Sequence, residues 1–79
     1  MWRESPFVVA RCYRARKDFK SLRDSFHAGE VLVFVREAYS HYDNQTGFFF
    51  SQPGTHQMRV WDIHDDEKLE IWRALFEEI

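Results

Sequence analysis

The most hydrophobic stretch of the chain, residues 31–35, is apolar at every position and predicts a β-strand. It follows Gly29 and is rich in β-branched and aromatic residues, which favours a strand over a helical turn. Successive side chains of a strand point to opposite faces, so Leu32 and Phe34 share one face and the three valines share the other. Exposure of either apolar face to water is unfavourable. We therefore expect a curled sheet to enclose one face and a separate element to cover the other.

The C-terminal segment changes to a helical period. Its apolar positions recur three, four and seven residues apart and are Leu69, Ile71, Trp72, Leu75, Phe76 and Ile79. This spacing predicts an amphipathic helix over residues 66–78, with Asp65 or Asp66 as its N-cap. Because a helix of this length is marginal alone in water, its apolar stripe must dock on the domain. We expect it to cover the sheet face that carries Val31 and Val33.

Three further segments complete the predicted sheet. Residues 7–16 are expected to be extended, and the three phenylalanines at residues 48–50 predict a strand with two apolar faces. A tight turn at residues 52–56, centred on Pro53, makes residues 58–63 the antiparallel partner of that strand.

Residues 17–27 are mostly polar and predict a long loop, since no helix cap precedes them. The three apolar residues of this loop, Phe19, Leu22 and Phe26, are expected to fold back onto the domain. They also lie at helical spacing, so a helix is the alternative interpretation.

A length of 79 residues is that of one domain, and residues 1–79 are predicted to form a single unit. Fourteen aromatic residues can give so small a core a large buried area. Cys12 is the only cysteine, so no disulfide forms within the chain and a reducing compartment is expected. The apolar run at residues 7–10 is too short for a signal peptide or a membrane span. The sequence thus predicts a cytoplasmic protein with no membrane partner.

Charge is unevenly distributed, although the formal net charge is only −2. Residues 1–36 carry eight bases and four acids, whereas residues 37–79 carry three bases and nine acids. Two oppositely charged halves can pack on each other, or one half can form a binding face. We favour packing or an ordinary solvated surface, because the net charge gives no signal for nucleic acid or a membrane.

Residues 12–64 resemble a Src-homology-3-like β-barrel. Residues 13–19 stand where such barrels place the first strand and an Asp-aromatic pair, and Gly29-Glu30 opens the second strand after a long loop. A loop with Tyr42-Asp43, two hairpin strands and a terminal turn follow in the same order. The resemblance implies a mainly β (α+β) fold. It would be a small antiparallel barrel of about five strands over residues 7–63, with the C-terminal helix packed on it.

The chain departs from the proline-peptide-binding members of that class. Their long loop is acidic, whereas this loop carries Lys17, Lys20 and Arg23. The third strand opens with Phe48 where they have tryptophan, and their Pro-x-x-Tyr element has no counterpart here. The resemblance therefore does not imply a proline-rich ligand, although the same barrel serves other partners.

A second resemblance is to a little-characterised bacterial family of domains of unknown function. It depends on Phe26-x-x-Gly29-Glu30, Tyr39-Ser40-x-Tyr42-Asp43, the triple Phe and Trp61-x-x-His64-Asp65-Asp66. This resemblance implies a bacterial protein and carries no activity with it.

Residues with catalytic or metal-binding potential form no recognisable motif. His64 lies beside the carboxylates of Asp62, Asp65 and Asp66, which could bind a divalent metal, but helix capping by the last two is favoured. Cys12 is more typical of a small buried hydrophobe than of a nucleophile. There is no phosphate-binding glycine loop. We predict a non-catalytic protein with no catalytic residue, no metal and no cofactor.

Two binding surfaces are candidates. The leading hypothesis is an interaction module, monomeric or weakly dimeric, that binds a protein or peptide through aromatic residues near loop or strand ends. These residues are Phe19, Tyr39, Tyr42 and Trp61, and completing a small core is their alternative role. The second hypothesis is nucleic-acid binding through residues 11–23, whose candidate contacts are Arg14, Arg16, Lys17, Lys20 and Arg23. A pI near 6.0 speaks against it.

Overall fold

A five-stranded antiparallel sheet and a two-stranded ribbon make up most of the structure. The computed structural model describes residues 5–79, and residues 1–4 of the predicted domain lie outside the described residues. The elements are β1 (Cys12–Ala15), β2 (Phe19–Lys20), β3 (Ser25–Phe26), β4 (Val31–Ser40), β5 (Gln45–Ser51), β6 (Met58–His64), a 3-10 turn (Leu69–Ile71), α1 (Trp72–Leu75) and β7 (Phe76–Glu78). The strand order is β6-β5-β4-β1-β7, and β2 pairs with β3 as the ribbon. The predicted fold class, mainly β with a C-terminal helix, is confirmed.

The central hairpins form where the pattern predicts them. Gly54, with φ of +86°, supplies the left-handed position of the turn that joins β5 to β6. Phe48 is the register partner of Trp61, as the predicted pairing requires. The pairing of β4 with β5 shifts by one residue after Phe34, so Val35 forms a bulge.

Alternation along the strands directs one set of side chains into a single core. The buried apolar residues are Phe7, Tyr13, Ala15, Phe26, Leu32, Phe34, Phe48, Phe50, Trp61, Ile63 and Phe76. Leu32 and Phe34 therefore lie in the sheet interior, as expected for one face of the central strand.

Phe7 fills the centre of this core from outside the sheet. Its ring lies 5.0–6.0 Å, centroid to centroid, from seven other aromatic rings, namely those of Tyr13, Phe34, Phe48, Phe50, Trp61, Trp72 and Phe76. The expectation that residues 7–16 are extended is wrong for the first half of this segment. Ala10 has φ of +70°, and Arg11 donates its N–H to the Val8 carbonyl, so the chain turns before β1 begins.

The C-terminal segment is only partly helical, and the predicted helix over residues 66–78 is wrong in its extent. After the 3-10 turn, α1 ends at Leu75 and the chain continues as β7. Phe76 is the register partner of Ala15 and is buried, so it serves the core as a strand residue. The open edge of β1 explains this outcome. β7 supplies hydrogen-bond partners to the backbone groups along that edge, and a longer helix would leave those groups unpaired. No helix within residues 5–79 is long and apolar enough to cross a membrane.

The second face of β4 is not covered by the helix, which corrects the expectation for Val31 and Val33. Val31 and Val35 are each 37% exposed, and Val33 is half-buried. The helical segment instead packs Leu69, Trp72 and Leu75 against the core. The outward face of β5 has another cover: the Arg36 guanidinium lies 4.5 Å from the Phe49 ring centroid.

Residues 17–27 contain no helix, so the helix alternative is excluded. The predicted loop nevertheless contains the two short strands of the ribbon, β2 and β3. Phe19 pairs with Phe26 in the ribbon, and their rings stack at 4.9 Å against the core. Leu22 does not fold back as expected. It is 71% exposed at the end of the ribbon.

Candidate functional site

A cleft of about 390 Å³ lies between the ribbon, β6 and the C-terminal turn. Its apolar lining comes from all three and consists of Phe19, Leu22, Trp61, Ile71 and Leu75. Its polar lining is Lys20, Ser21, Gln45, Asp62, His64 and Glu67. We refer to this space as the cleft. Its mixed lining and its volume are those of a binding site for a small ligand or a short segment.

Asp62 fixes the tip of the ribbon, residues 21–24, against β6. Its N–H donates to the Ser21 hydroxyl at 2.6 Å. Its carboxylate accepts two bonds from the Arg23 guanidinium, at 2.7 Å and 3.2 Å. The hydrogen bond to Asp62 raises the pKa of Arg23. Leu22 lies between two anchored residues and is held in solvent beside the cleft.

Gly47 leaves the room that this ion pair needs. A Cβ at position 47 would lie 3.0 Å from Arg23 Nη2 and 3.2 Å from Asp62 Oδ1. Any larger residue would push the guanidinium away from the sheet. The absence of a side chain at Gly47 thus allows the Arg23 guanidinium to extend across β6 and lie close to β5.

Arg59 fixes the base of the ribbon from inside the protein. Its guanidinium donates to Asp24 Oδ2 at 3.0 Å, to Glu30 Oε2 at 3.0 Å and to the Ser25 carbonyl. It also lies 4.8 Å from the Phe26 ring centroid. Only 6% of the Arg59 side chain is exposed, so both carboxylates are needed to compensate its charge. Together Asp62, which bonds residues 21 and 23, and Arg59, which bonds residues 24, 25 and 30, hold the ribbon against β6.

This cluster predicts a loss of stability in acid. Burial acts to raise the pKa of Asp24, but hydrogen bonds from Arg59 and from the Ser25 and Val60 N–H groups outweigh it and lower the pKa. The pKa of Glu30 is likewise lowered, because bonds from Arg59 and the His27 N–H outweigh burial. A carboxylate whose pKa is lowered by folding stabilises the folded state at any pH above its unfolded-state pKa, which is about 4. This stabilisation is lost as the pH falls through the folded-state pKa.

We therefore expect the urea midpoint of unfolding to fall as the pH is lowered below about 4.5. Asp24→Asn should flatten this dependence. Asp66→Asn, which changes a carboxylate that is 91% exposed, should leave it unchanged. Equal pH profiles for wild type and Asp24→Asn would show that Asp24 does not carry the dependence.

The turn that forms the other wall of the cleft is held by side chains of its own. Glu67 accepts the His64 N–H at 3.1 Å, and Asp65 accepts the Tyr39 hydroxyl at 2.8 Å. His64 Nδ1 accepts the Asp66 N–H at 3.3 Å. The N-cap positions of the 3-10 turn and α1 are Lys68 and Ile71, so the predicted N-cap role of Asp65 or Asp66 is wrong. Within residues 5–79 no three His, Cys, Asp or Glu side chains are grouped as a metal site.

The four predicted aromatic contacts do not form one surface. Phe19 and Trp61 both border the cleft, but Trp61 is only 3% exposed and stacks on Phe48 within the core. Tyr39 is half-buried and donates to Asp65. Tyr42 is fully exposed in the turn between β4 and β5 and does not line the cleft. Of the four, Phe19 is the one placed as an accessible wall.

The predicted basic segment is largely occupied by internal partners. Arg14 pairs with Glu77 at 3.3 Å, and Arg16 donates to the Arg73 carbonyl at 2.7 Å. Arg23 is the partner of Asp62 described above. Arg11 similarly pairs with Glu78 at 2.8 Å. The sequence favoured packing of oppositely charged halves or a solvated surface, and the ion pairs of Arg11, Arg14 and Arg23 with acids of the second half agree with packing. Lys17 and Lys20 are exposed, and Lys20 borders the cleft.

Sequence reasoning missed Ser21, Leu22 and Asp62 as a functional group. The available signal was Leu22, an apolar residue in a mostly polar loop. The pattern assigned this leucine to the core. The partner of the tip, Asp62, lies about 40 residues later in the chain, and only the fold brings the two together.

No family model matches the chain, and no curated protein matches it. Its fold is similar to that of a solved integron cassette protein, VCH_CASS4, from the mobile metagenome of Vibrio cholerae. The similarity covers 94% of this chain and 87% of that one, with a TM-score of 0.74 and 18% sequence identity. At this identity the comparison shows a shared fold and no shared activity. The chain thus has the fold of a bacterial integron cassette protein.

Proposed function

We propose that this chain is a non-catalytic interaction module that binds a segment of a protein or peptide in the cleft. It would act in the cytoplasm as a monomer or weak dimer. The observation that carries the proposal is the fixed exposure of Leu22 at the edge of an apolar-lined cleft.

A single exposed leucine is ordinary on a protein surface. Leu22 differs because Ser21 and Arg23 on either side of it are both bonded to Asp62. Its backbone is therefore already ordered before any partner arrives, so binding loses less conformational entropy. An ordered apolar side chain beside a cleft can bury its surface against a partner, and that burial favours binding.

The charges around the cleft support a polypeptide ligand over nucleic acid. Lys20 borders the ribbon side, whereas Asp66 and Glu67 lie on the turn side. A nucleic-acid site needs a continuous basic surface, and three of the five candidate bases are already engaged with protein oxygens. Walls of opposite sign instead suit a segment that carries both signs of charge.

We also infer that the sheet and ribbon form a Src-homology-3-like barrel. The chain order supports this: a first strand, a long projecting ribbon, a second strand, two hairpin strands, and a terminal turn before a last strand beside the first. In this interpretation the cleft lies between the ribbon and the terminal turn. The resemblance supports the position of the site and leaves its ligand to be determined.

The direct test is selection of binding peptides from a phage-displayed random library on the immobilised full chain. We expect selected peptides to bind with micromolar affinity and Leu22→Ser to weaken them by about tenfold or more. The matched control is Val9→Ser, since Val9 is 63% exposed and outside the cleft. It should leave the affinity unchanged.

Three outcomes would count against the proposal. One is a library that yields no peptide sensitive to Leu22→Ser. Another is an equal loss in the Val9→Ser control. The third is salt-sensitive binding of a single-stranded DNA oligonucleotide that Lys17→Ser and Lys20→Ser abolish, which would favour the nucleic-acid hypothesis.

A further inference from the structure

The outer edge of β6 shows how a segment could bind. β6 is the outermost strand on its side of the sheet. Its outward N–H groups, those of Val60, Asp62 and His64, donate to Asp24 Oδ2 at 3.2 Å, Ser21 Oγ at 2.6 Å and Glu67 Oε1 at 3.1 Å. These donors are two residues apart, which is the spacing at which the carbonyl oxygens of an added strand would meet them.

The three side-chain acceptors are not equally replaceable. Asp24 is held by Arg59 at 3.0 Å beneath the ribbon and lies away from the cleft. Ser21 and Glu67 both line the cleft, one on each side of it. A ligand in the cleft therefore reaches the N–H groups of Asp62 and His64 by displacing a serine hydroxyl and a carboxylate.

We propose that the cleft binds its partner as an extended segment that pairs with β6 along residues 62–64. The carbonyl oxygens of the segment take the places of Ser21 Oγ and Glu67 Oε1. In an antiparallel ladder a residue directs its N–H and its carbonyl to the same side, so the Asp62 carbonyl is available to the segment as well. This inference rests on the proposed function and adds the conformation and chemistry of the ligand.

The walls of the cleft specify the side chains of the segment. Alternate side chains of an added strand face the same way, so an apolar residue enters between Phe19, Trp61 and Leu75. A basic residue faces the turn, where the Asp66 carboxylate is exposed. The predicted ligand is an extended segment with an apolar and a basic residue.

The first test uses the library-selected peptide that is most sensitive to Leu22→Ser. It is synthesised with a single backbone N-methyl group at each position in turn and titrated calorimetrically against the full chain. We expect N-methylation to weaken binding by about tenfold or more at the one residue whose N–H donates to the Asp62 carbonyl. It should be tolerated at the residue opposite His64, because the His64 carbonyl already accepts the Glu67 N–H.

The second test is Ser21→Ala, measured with the same unmodified peptide. Removing the competing hydroxyl should tighten binding by about two- to tenfold, the range expected for one neutral hydrogen bond, because the two bonds from Arg23 to Asp62 still hold Leu22 in place. Ser51→Ala, at a serine outside the cleft, should change nothing.

The outcomes separate this inference from the proposed function. Strand pairing is overturned if the peptide tolerates every N-methyl group or binds more weakly to Ser21→Ala. The cleft still stands as the binding site in that case, because the peptide was chosen for its dependence on Leu22. A polyproline-type ligand would give that result. A library that yields no peptide dependent on Leu22 overturns both.

Discussion

Replacing Phe7 with alanine is expected to lower the free energy of unfolding by about 3–5 kcal/mol, the usual loss for deleting a buried aromatic ring. The ring is 4% exposed and contacts seven other aromatic rings, so its removal opens a cavity at the centre of the core. A domain of 79 residues has a total stability of about 4–12 kcal/mol. Urea unfolding followed by tryptophan fluorescence measures the change.

Val9→Ala is the control for this prediction. Val9 lies two residues away in the same segment but is 63% exposed, and its truncation should change the stability by less than about 0.5 kcal/mol. If Phe7→Ala and Val9→Ala proved equally stable, Phe7 would not fill the core as described.

Replacing Arg59 with methionine should lower the free energy of unfolding by about 3 kcal/mol. Methionine keeps much of the side-chain volume, so the loss comes chiefly from Asp24 and Glu30, which remain without their cation in a partly buried site. Adding Asp24→Asn and Glu30→Gln to Arg59→Met should recover part of the loss, because the uncompensated charges are then gone.

Arg11→Met serves as the matched control. Its ion pair with Glu78 is at the surface, with the two side chains 61% and 46% exposed, so its loss should amount to less than about 1 kcal/mol. Equal effects of Arg11→Met and Arg59→Met in urea unfolding would rule out a special role for the buried cluster.

The sequence predicted the elements whose signals are local. The turn at Pro53 and Gly54 and the antiparallel pairing that follows it depend on residues next to each other in the chain, and the structure has both. The absence of a helix in residues 17–27 was likewise predictable from polar composition and the missing cap. Leu32 and Phe34 entered the core together because they share the face of the strand that the sheet encloses.

The errors have one physical cause, which is competition from contacts distant in sequence. Phe76 fits two patterns equally well, the apolar stripe of a helix and an inward position of a strand. It forms a strand because the open edge of β1 offers it a pairing partner. Val31 and Val33 remained partly accessible because the helical segment packs on the core elsewhere. Arg59 could be placed on the same face as Trp61 from the pattern, but its burial depends on Asp24 and Glu30, about 30 residues earlier.

The candidate site shows the same division. Phe19 was identified because aromatic residues near strand ends are common contacts, and it does form a wall of the cleft. Trp61 was named for the same reason, yet the pairing with Phe48 places it in the core. Leu22 was missed because the ion pair that presents it joins Arg23 to a residue in β6.

Chemical-shift mapping with the selected peptide tests the central claim most directly. In ¹⁵N-labelled protein we expect the largest amide shifts on both sides of the cleft, at residues 19–22, 61–64 and 71–75. Amides of residues that do not line the cleft, such as Val33 and Met58, should remain in place. Shifts concentrated at such residues, with the cleft amides unmoved, would contradict the assignment of the cleft as the binding site.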